Sequence, residues 1–363
     1  MSSRTAVTGL GCLESRQAEL GPSRELFPLR LVTGWGQLEL GNRVTFQLVD
    51  VPSLRQALSG QESNPIAKLP QELSIEPNAT GSELYNTIAS RCGLSIHRIR
   101  VTKASDGSVI RNNSDATVHS TGLRNQSTIY IKDLGVQLGW RTVYLIEYFG
   151  PLLIHPVFLM QSMRSKIYRT PNPPQVTNYQ LLFCALILLH FVKRELETAF
   201  LHRFGRATMP AVFVIRNSAH YWVLSGLNVA YWVYAPTSNA ASTTIESANP
   251  FLLYTGLALF AFGQLANLNA HIVLRNLRRP GTSERGIPRG FGFNWVTCPN
   301  YLFEVIAWVG MYLVSGLSWS VVLFIIVACA PMITWAKQKE RSYRKEFGDK
   351  YKKKRFAMLP GIV

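Results

Sequence analysis

"NYLFEVIAWVGMYLVSGLSWSVVLFIIVACAPMITW", Asn300 to Trp335, holds two long apolar runs separated by a short turn at Gly316 to Ser318. Each run approaches the roughly 20 residues a helix needs to cross hydrocarbon. The first opens with an amide, a phenol and a carboxylate: Asn300, Tyr301 and Glu304. Polar groups are costly inside a bilayer, and those retained there usually mark a substrate path or a reacting centre. The stretch therefore describes two membrane helices with chemistry at one end.

Working outward, the apolar residues lie almost entirely after position 140, where spans are expected near 142–160, 178–198, 218–236, 250–274, 301–317 and 318–336. The fold expectation is a multi-span α-helical membrane bundle of about six transmembrane helices. Lys and Arg outnumber Asp and Glu by 38 to 21, a net charge of +17. These cations cluster between the apolar runs, which fits the positive-inside rule better than nucleic-acid binding. Arg203, Arg206 and Arg216, then Arg275, Arg278, Arg279, Arg285 and Arg289, and the tail "KQKERSYRKEFGDKYKKKR" all fall on one side if six spans alternate. Both termini are then expected in the cytosol. Arg164, Lys166 and Arg169, after the first span, fall on the other side and are discordant. Cys12, Cys92, Cys184, Cys298 and Cys329 are scattered without CxxC spacing, which implies neither a disulfide framework nor a zinc site. The first residues lack an unbroken apolar core, so no cleaved signal peptide is expected.

Residues 1–41 have no sustained period and read as a mobile extension. From 42 to 135 the signals change to α+β. "RVTFQLVDV" and "QELSIEP" are strand-like, "TGSELYNTIASRCG" is a capped helix, "HRIRVTKASDGSVI" runs through an Asp-Gly turn, and "STIYIKDLG" closes the set. This order resembles the ubiquitin-like fold, with Pro52 to Pro70 as an insertion. No diglycine tail is free for conjugation, because the chain continues past Gly135 into the helical part, 140–363. Docking or stability is the expected role. Three sequons, at Asn78, Asn112 and Asn125, are expected to stay bare in a cytosolic domain.

The polar residues of the spans fall on shared helix faces. Asn267, His271, Arg275 and Arg278 form one stripe, Asn300 and Glu304 another, and His190/Arg194 and Lys193/Glu197 are each one turn apart. Glu147 stands within the first span. Buried ion pairs that fix helix register, such as Glu147 with Lys193 or Arg194 and Glu304 with Arg278, are one account of this set. A ligand pocket at the cytosolic half is the other, favoured by the number of groups. GxGxxG after a strand, a P-loop, HExxH and GxSxG are all missing, and "GFG" at Gly290 to Gly292 lacks a third glycine. Arginines, amides and a tyrosine at a cytosolic edge suit an anionic, phosphate-bearing cofactor.

"EYFGP" (147–151), "KRELETAFLHRF" (193–204), "LRNLRRPG" (274–281), "CPNYLFE" (298–304) and "RSYRKEF" (341–347) resemble the very-long-chain trans-2-enoyl-CoA reductases of the endoplasmic reticulum, fungal type, within the steroid 5α-reductase superfamily. The resemblance runs from about Asn42 onward and includes the ubiquitin-like part. It implies NADPH-dependent reduction of an enoyl-CoA, the last step of each fatty-acid elongation cycle, at the endoplasmic reticulum membrane beside other elongation enzymes. It implies Tyr301 as proton donor, Lys193 or Arg194 as the cation that stabilises its phenolate, and Glu147 at the thioester carbonyl. Asn267, Arg278, Asn300, Glu304 and Tyr343 are implied around the cofactor. His271 departs from the acidic residue of steroid reductases. Rival expectations are a sterol or steroid reductase, a lipid or isoprenylcysteine methyltransferase, and a non-enzymatic adaptor.

Overall fold

A computed structural model describes residues 43–50, 66, 68–204, 207–277, 286–351 and 356–362. The extension 1–41, most of the Pro52 to Pro70 stretch, Arg278 and the run 352–355 lie outside the described residues. Contacts divide the chain into Met1–Arg43 and Val44–Val363, and the second unit holds the sheet and the helices.

Alternation of buried and exposed residues makes β1 (Val44–Asp50) and β2 (Glu72–Ile75) one-sided strands, with Phe46, Leu48, Leu73 and Ile75 turned inward. Helix α1 (Gly81–Cys92) starts at Thr80, whose hydroxyl accepts from the Glu83 N–H while the Glu83 carboxylate accepts from the Thr80 N–H. This reciprocal cap satisfies two orphan donors of the first turn. The helix ends at Gly93, in the left-handed conformation at φ 66° that glycine adopts without steric cost. Strands β3 (Ile99–Lys103), β4 (Val109–Ile110) and β5 (Thr128–Asp133) complete a sheet of order β2-β1-β5-β3-β4. β1 and β5 are parallel and the other pairs antiparallel. Leu84, Ile88 and Ala89 of α1 pack into the core beneath the sheet. The buried Tyr85 hydroxyl donates to Ile110 O (2.9 Å) and accepts from Val101 N (3.1 Å), so it sits in this apolar core at little cost.

β6 (Gln137–Gly139) leads directly into α2 (Trp140–Leu159), and β6 pairs antiparallel with β7 (Thr208–Pro210). After α2 come α3 (Gln161–Ile167) and α4 (Asn178–Leu196), the latter running on into a π-helical turn, Glu197–Leu201. α5 (Val212–Ser218), a π segment (Ala219–Asn228) and α6 (Val229–Val233) continue one another as a single rod. α7 (Pro250–Asn276), α8 (Pro299–Val314) and α9 (Trp319–Phe347) follow. Contacts place the rod ends alternately. At one end Trp140 stacks on Phe204 (6.3 Å), and Arg203 donates to Arg275 O (3.3 Å). At the other, Thr177 donates to Ala240 O, Asn178 to Glu246, and Asn239 to Gly316 O.

Among the described residues, three helices are long and apolar enough to cross a membrane: Trp140–Leu159, Pro250–Asn276 and Trp319–Lys350. The expected span at 178–198 falls short because Lys193, Arg194 and Glu195 charge its last turns. α8 has only 16 residues, and the third rod is an α–π–α succession. Arg164, expected among the discordant loop charges, is instead wholly buried and donates to the carbonyls of Pro174 (2.5 Å) and Tyr234 (3.4 Å). Its charge caps the Tyr234 carbonyl at the end of α6 and meets that of Pro174 before α4, and is withdrawn from the loop surface.

The closest helix pair is α7 with α8. A Cβ on Gly263 would lie 2.5 Å from Ala307 N and 2.7 Å from Phe303 O, and one on Gly310 would lie 2.5 Å from Gly256 O. Missing side chains thus let the two backbones touch, as in small-residue membrane interfaces.

Candidate active site

That close approach brings Asn267, one turn beyond Gly263, onto the first turn of α8. Its amide Nδ2 donates to Asn300 O (2.8 Å) and Glu304 Oε2 (3.2 Å), while its Oδ1 accepts from Lys193 Nζ (2.7 Å). The other Glu304 oxygen lies 3.3 Å from His190 Nε2, and His190 Nδ1 meets the Gln264 amide at 2.7 Å. Three helices, α4, α7 and α8, are thereby joined by side chains that the sequence places on shared faces.

A second hub adjoins the first. Glu197, buried at the π turn, pairs with Lys193 (2.9 Å), Arg194 (2.7 Å) and His271 (3.1 Å). π turns are frequent at functional sites, and this one begins at Glu197. Arg194 is held by Glu197 on one side and donates on the other to the Tyr148 hydroxyl at 3.0 Å, its carbon 5.1 Å from the ring centre. Glu197, His202 and His271 could also be grouped as metal ligands by distance. Two cations already on Glu197 make a further dication unfavourable there.

Glu147 is 1% exposed, and its Oε1 accepts from Asn217 Nδ2 at 2.8 Å. The expected pairing of Glu147 with Lys193 or Arg194 is therefore not the one formed; Glu197 takes both cations because it shares their helix and lies one turn away. The alternative pair Glu304 with Arg278 lies outside the described residues on the arginine's side; Glu304 faces His190 and Asn267. Pro151, four residues after Glu147, has no N–H to donate to its carbonyl.

Tyr301 packs with Cys298, Val305, Ala336 and Met358 and lies 6.5 Å from the Trp335 ring. Among the described residues its hydroxyl makes no hydrogen bond, and the cations expected beside it are turned to Asn267, Glu197 and Tyr148. Tyr343 is buried between Tyr351 (5.4 Å) and Phe347 (6.0 Å), with Lys339 over its ring. The chain after α9 returns to this end. Phe356 pairs with Val296 in a parallel bridge, Thr297 N donates to Phe356 O (3.2 Å), and Cys298 N donates to Ala357 O (3.0 Å). Glu340, buried on α9, accepts from Thr297 Oγ1 and from the Tyr351 hydroxyl (2.6 Å), while its Oε1 lies 3.9 Å from Arg344 Nε and, among the described residues, has no hydrogen-bond partner. Burial and the carboxylate contact push the Tyr351 hydroxyl well above the ordinary phenol range.

Sequence reasoning missed Tyr148, Asn217, Gln264 and Glu340. Tyr148 carried a signal, since it adjoins Glu147 within "EYFGP". Asn217 carried none, because its contact with Glu147 spans 70 positions and depends on how α5 crosses α2.

Residues 207–363 match the family described as 3-oxo-5-alpha-steroid 4-dehydrogenase. A Schizosaccharomyces pombe protein with an enoyl reductase assignment is 40% identical over 81% of this chain and 95% of its own length. The very-long-chain enoyl-CoA reductase of Dictyostelium discoideum is 38% identical over 80% of this chain and 94% of its own. A trans-2,3-enoyl-CoA reductase-like protein of Mus musculus is 32% identical over 68% of each. Similarity that extends across nearly the whole of two of these relatives, sheet and helices together, means that the chain belongs to the very-long-chain enoyl-CoA reductase family of the steroid 5α-reductase superfamily.

Proposed function

We propose that the chain reduces the 2,3 double bond of a trans-2-enoyl-CoA to the saturated acyl-CoA with NADPH, closing each turn of very-long-chain fatty-acid elongation. The observation that carries this reading is the joined polar network, Lys193–Asn267–Asn300/Glu304, in a chain similar to enoyl-CoA reductases along most of its length. The donor set fits a dinucleotide. Amides and a carboxylate suit the nicotinamide amide and ribose hydroxyls, and Glu340, whose Oε1 lies 3.9 Å from Arg344 Nε and makes no hydrogen bond among the described residues, is a further carboxylate acceptor at this end. Asn267, Asn300, Glu304 and Tyr343 would hold the cofactor, with Arg278 at its phosphates. When bound, NADPH supplies a hydride to Cβ of the thioester. Tyr301 then gives a proton to Cα, with Lys193 and Arg194 supplying positive charge nearby. Glu147, fixed by Asn217, faces the carbonyl side.

Several features support a six-span arrangement in the endoplasmic reticulum membrane with both termini cytosolic. β6 and β7 tie the start of α2 to the start of α5, so the chain between them crosses an even number of times. The burial of Arg164 removes one of three charges that opposed this orientation. Residues 42–135 are read as a ubiquitin-like domain on the strength of the β2-β1-β5-β3-β4 order with one helix beneath, following an extension, 1–41, and preceding the catalytic part, 140–363. That domain suits contact with other elongation enzymes.

Purified protein in detergent, given NADPH and trans-2-hexadecenoyl-CoA, should oxidise the cofactor, followed as loss of absorbance at about 340 nm. A 3-oxo-4-ene steroid should give no such loss. Oxidation with the steroid alone would move the assignment within the superfamily, and none with either substrate would remove it.

A further inference from the structure

Arg194 meets one phenol, and that phenol is not Tyr301. Three tyrosines, Tyr144, Tyr148 and Tyr221, crowd this region, with Tyr148 stacked on Tyr144 at 5.9 Å and edge-on to Tyr221 at 5.0 Å. Of these, Tyr148 alone takes a hydrogen bond from Arg194. The residue is 2% exposed, and Phe191 and Tyr221 fix its ring. Arg194 is itself fixed by Glu197, which His271 and Lys193 also hold. The hydroxyl oxygen is thus an acceptor already in use, while among the described residues its proton has no acceptor. A buried donor left open costs free energy, so an acceptor brought by a ligand would be favoured there. A cation donating to the oxygen also draws electron density from the O–H bond and makes it a stronger donor.

We propose that the Tyr148 hydroxyl donates a hydrogen bond to the thioester carbonyl oxygen of the substrate, as the stabiliser of the negative charge that develops there. The proposal rests on the enoyl-CoA reductase reading. As hydride adds to Cβ, the C=C π pair shifts toward the thioester, the carbonyl π pair moves to oxygen, and an enolate forms. Tyr148 shares its proton with that oxygen without giving it up. The pair then returns as Cα takes a proton from Tyr301, whose phenolate regains one from water. Tyr148 adjoins Glu147, placed at the same carbonyl by the family resemblance, and its network leads through Arg194, Glu197 and Lys193 to Asn267 at the cofactor end. The two phenols so divide the work between oxygen and carbon.

The test compares two probes bound without NADPH: palmitoyl-CoA, a thioester, and S-hexadecyl-CoA, a thioether lacking the carbonyl. The unmodified protein should prefer the thioester by roughly three- to tenfold, the usual worth of one neutral hydrogen bond. Tyr148→Phe should bind the two equally, keep NADPH affinity measured by cofactor fluorescence, and lose about 10²- to 10³-fold in kcat, as for removal of an oxyanion donor. A hydroxyl that only braces Arg194 would leave the thioester preference unchanged in Tyr148→Phe, and that result overturns the proposal. Absence of any preference in the unmodified protein overturns it as well, even if the variant fails to fold. If the unmodified protein does not reduce enoyl-CoA at all, the underlying reading fails instead, which the probe comparison does not share.

Discussion

Tyr301 stands in the first turn of α8, beside Asn300 and one turn before Glu304, with its hydroxyl free of hydrogen bonds among the described residues. A phenol so placed is available to a substrate carbon. Tyr301→Phe keeps the ring contacts with Cys298, Val305 and Met358 and removes only the hydroxyl, the proposed acid. Folding and NADPH binding should persist while turnover falls by about 10²- to 10⁴-fold, the span attributed to a general acid. Near-full turnover in this variant would make Tyr301 an interfacial anchor and nothing more. At this scale the sequence was informative for Lys193 and Glu197, which do pair one turn apart on one helix, whereas His190 and Arg194, spaced the same way, turn to different partners. It was silent on which helix a side chain meets next, so Arg194 could be foreseen as buried but not as the partner of Tyr148. Distance along the chain carries no information about a 3.0 Å contact between α2 and α4.

Among the elements, the α7–α8 contact sets the geometry of the polar network. Gly263→Ala would insert a methyl against Ala307 N and Phe303 O, both backbone atoms that cannot swing aside. Separating the helices should cost about 1–3 kcal/mol, as overpacking does, and should stretch the 2.8 Å bond from Asn267 to Asn300 O. Thermal melting in detergent should therefore fall together with NADPH affinity; a variant unchanged in both would show that the glycine is incidental. Strand and helix positions in 42–135 were legible because alternation, the Thr80–Glu83 cap and the Asp106-Gly107 turn are local signals. The π segments at 197–201 and 219–228 were not. Their i→i+5 hydrogen bonding has no sequence period of its own that the residues of 197–201 and 219–228 display.

For the whole molecule, two measurements address orientation and the sheet. With the N-terminal part cytosolic, Asn78, Asn112 and Asn125 never meet the lumenal transferase, so endoglycosidase should leave mobility unchanged; a shift traced to any of them reverses the topology. In the sheet, burial tends to raise the Asp133 carboxyl, but the Arg98 guanidinium and the Gly135 N–H outweigh it and hold the group below the ordinary carboxylate range. A lowered native value stabilises the fold above the unfolded value of ~3.9 and is lost as pH falls through the native one. Amide exchange in β3 and β5, corrected for intrinsic rates, should show Asp133→Asn less protected at neutral pH, with the gap closing as pH drops below about 4. Equal protection at neutral pH would show that the pair contributes nothing. Finally, the bridge between Phe356 and Val296 bears on biosynthesis. The backbone donors of Thr297 and Cys298, at the entrance to α8, find their acceptors only in residues translated more than fifty positions later. A nascent chain already threaded into the bilayer would therefore leave these two donors without those acceptors until Phe356 and Ala357 have cleared the ribosome and folded back. An affinity tag fused close behind them would intrude on that closing step.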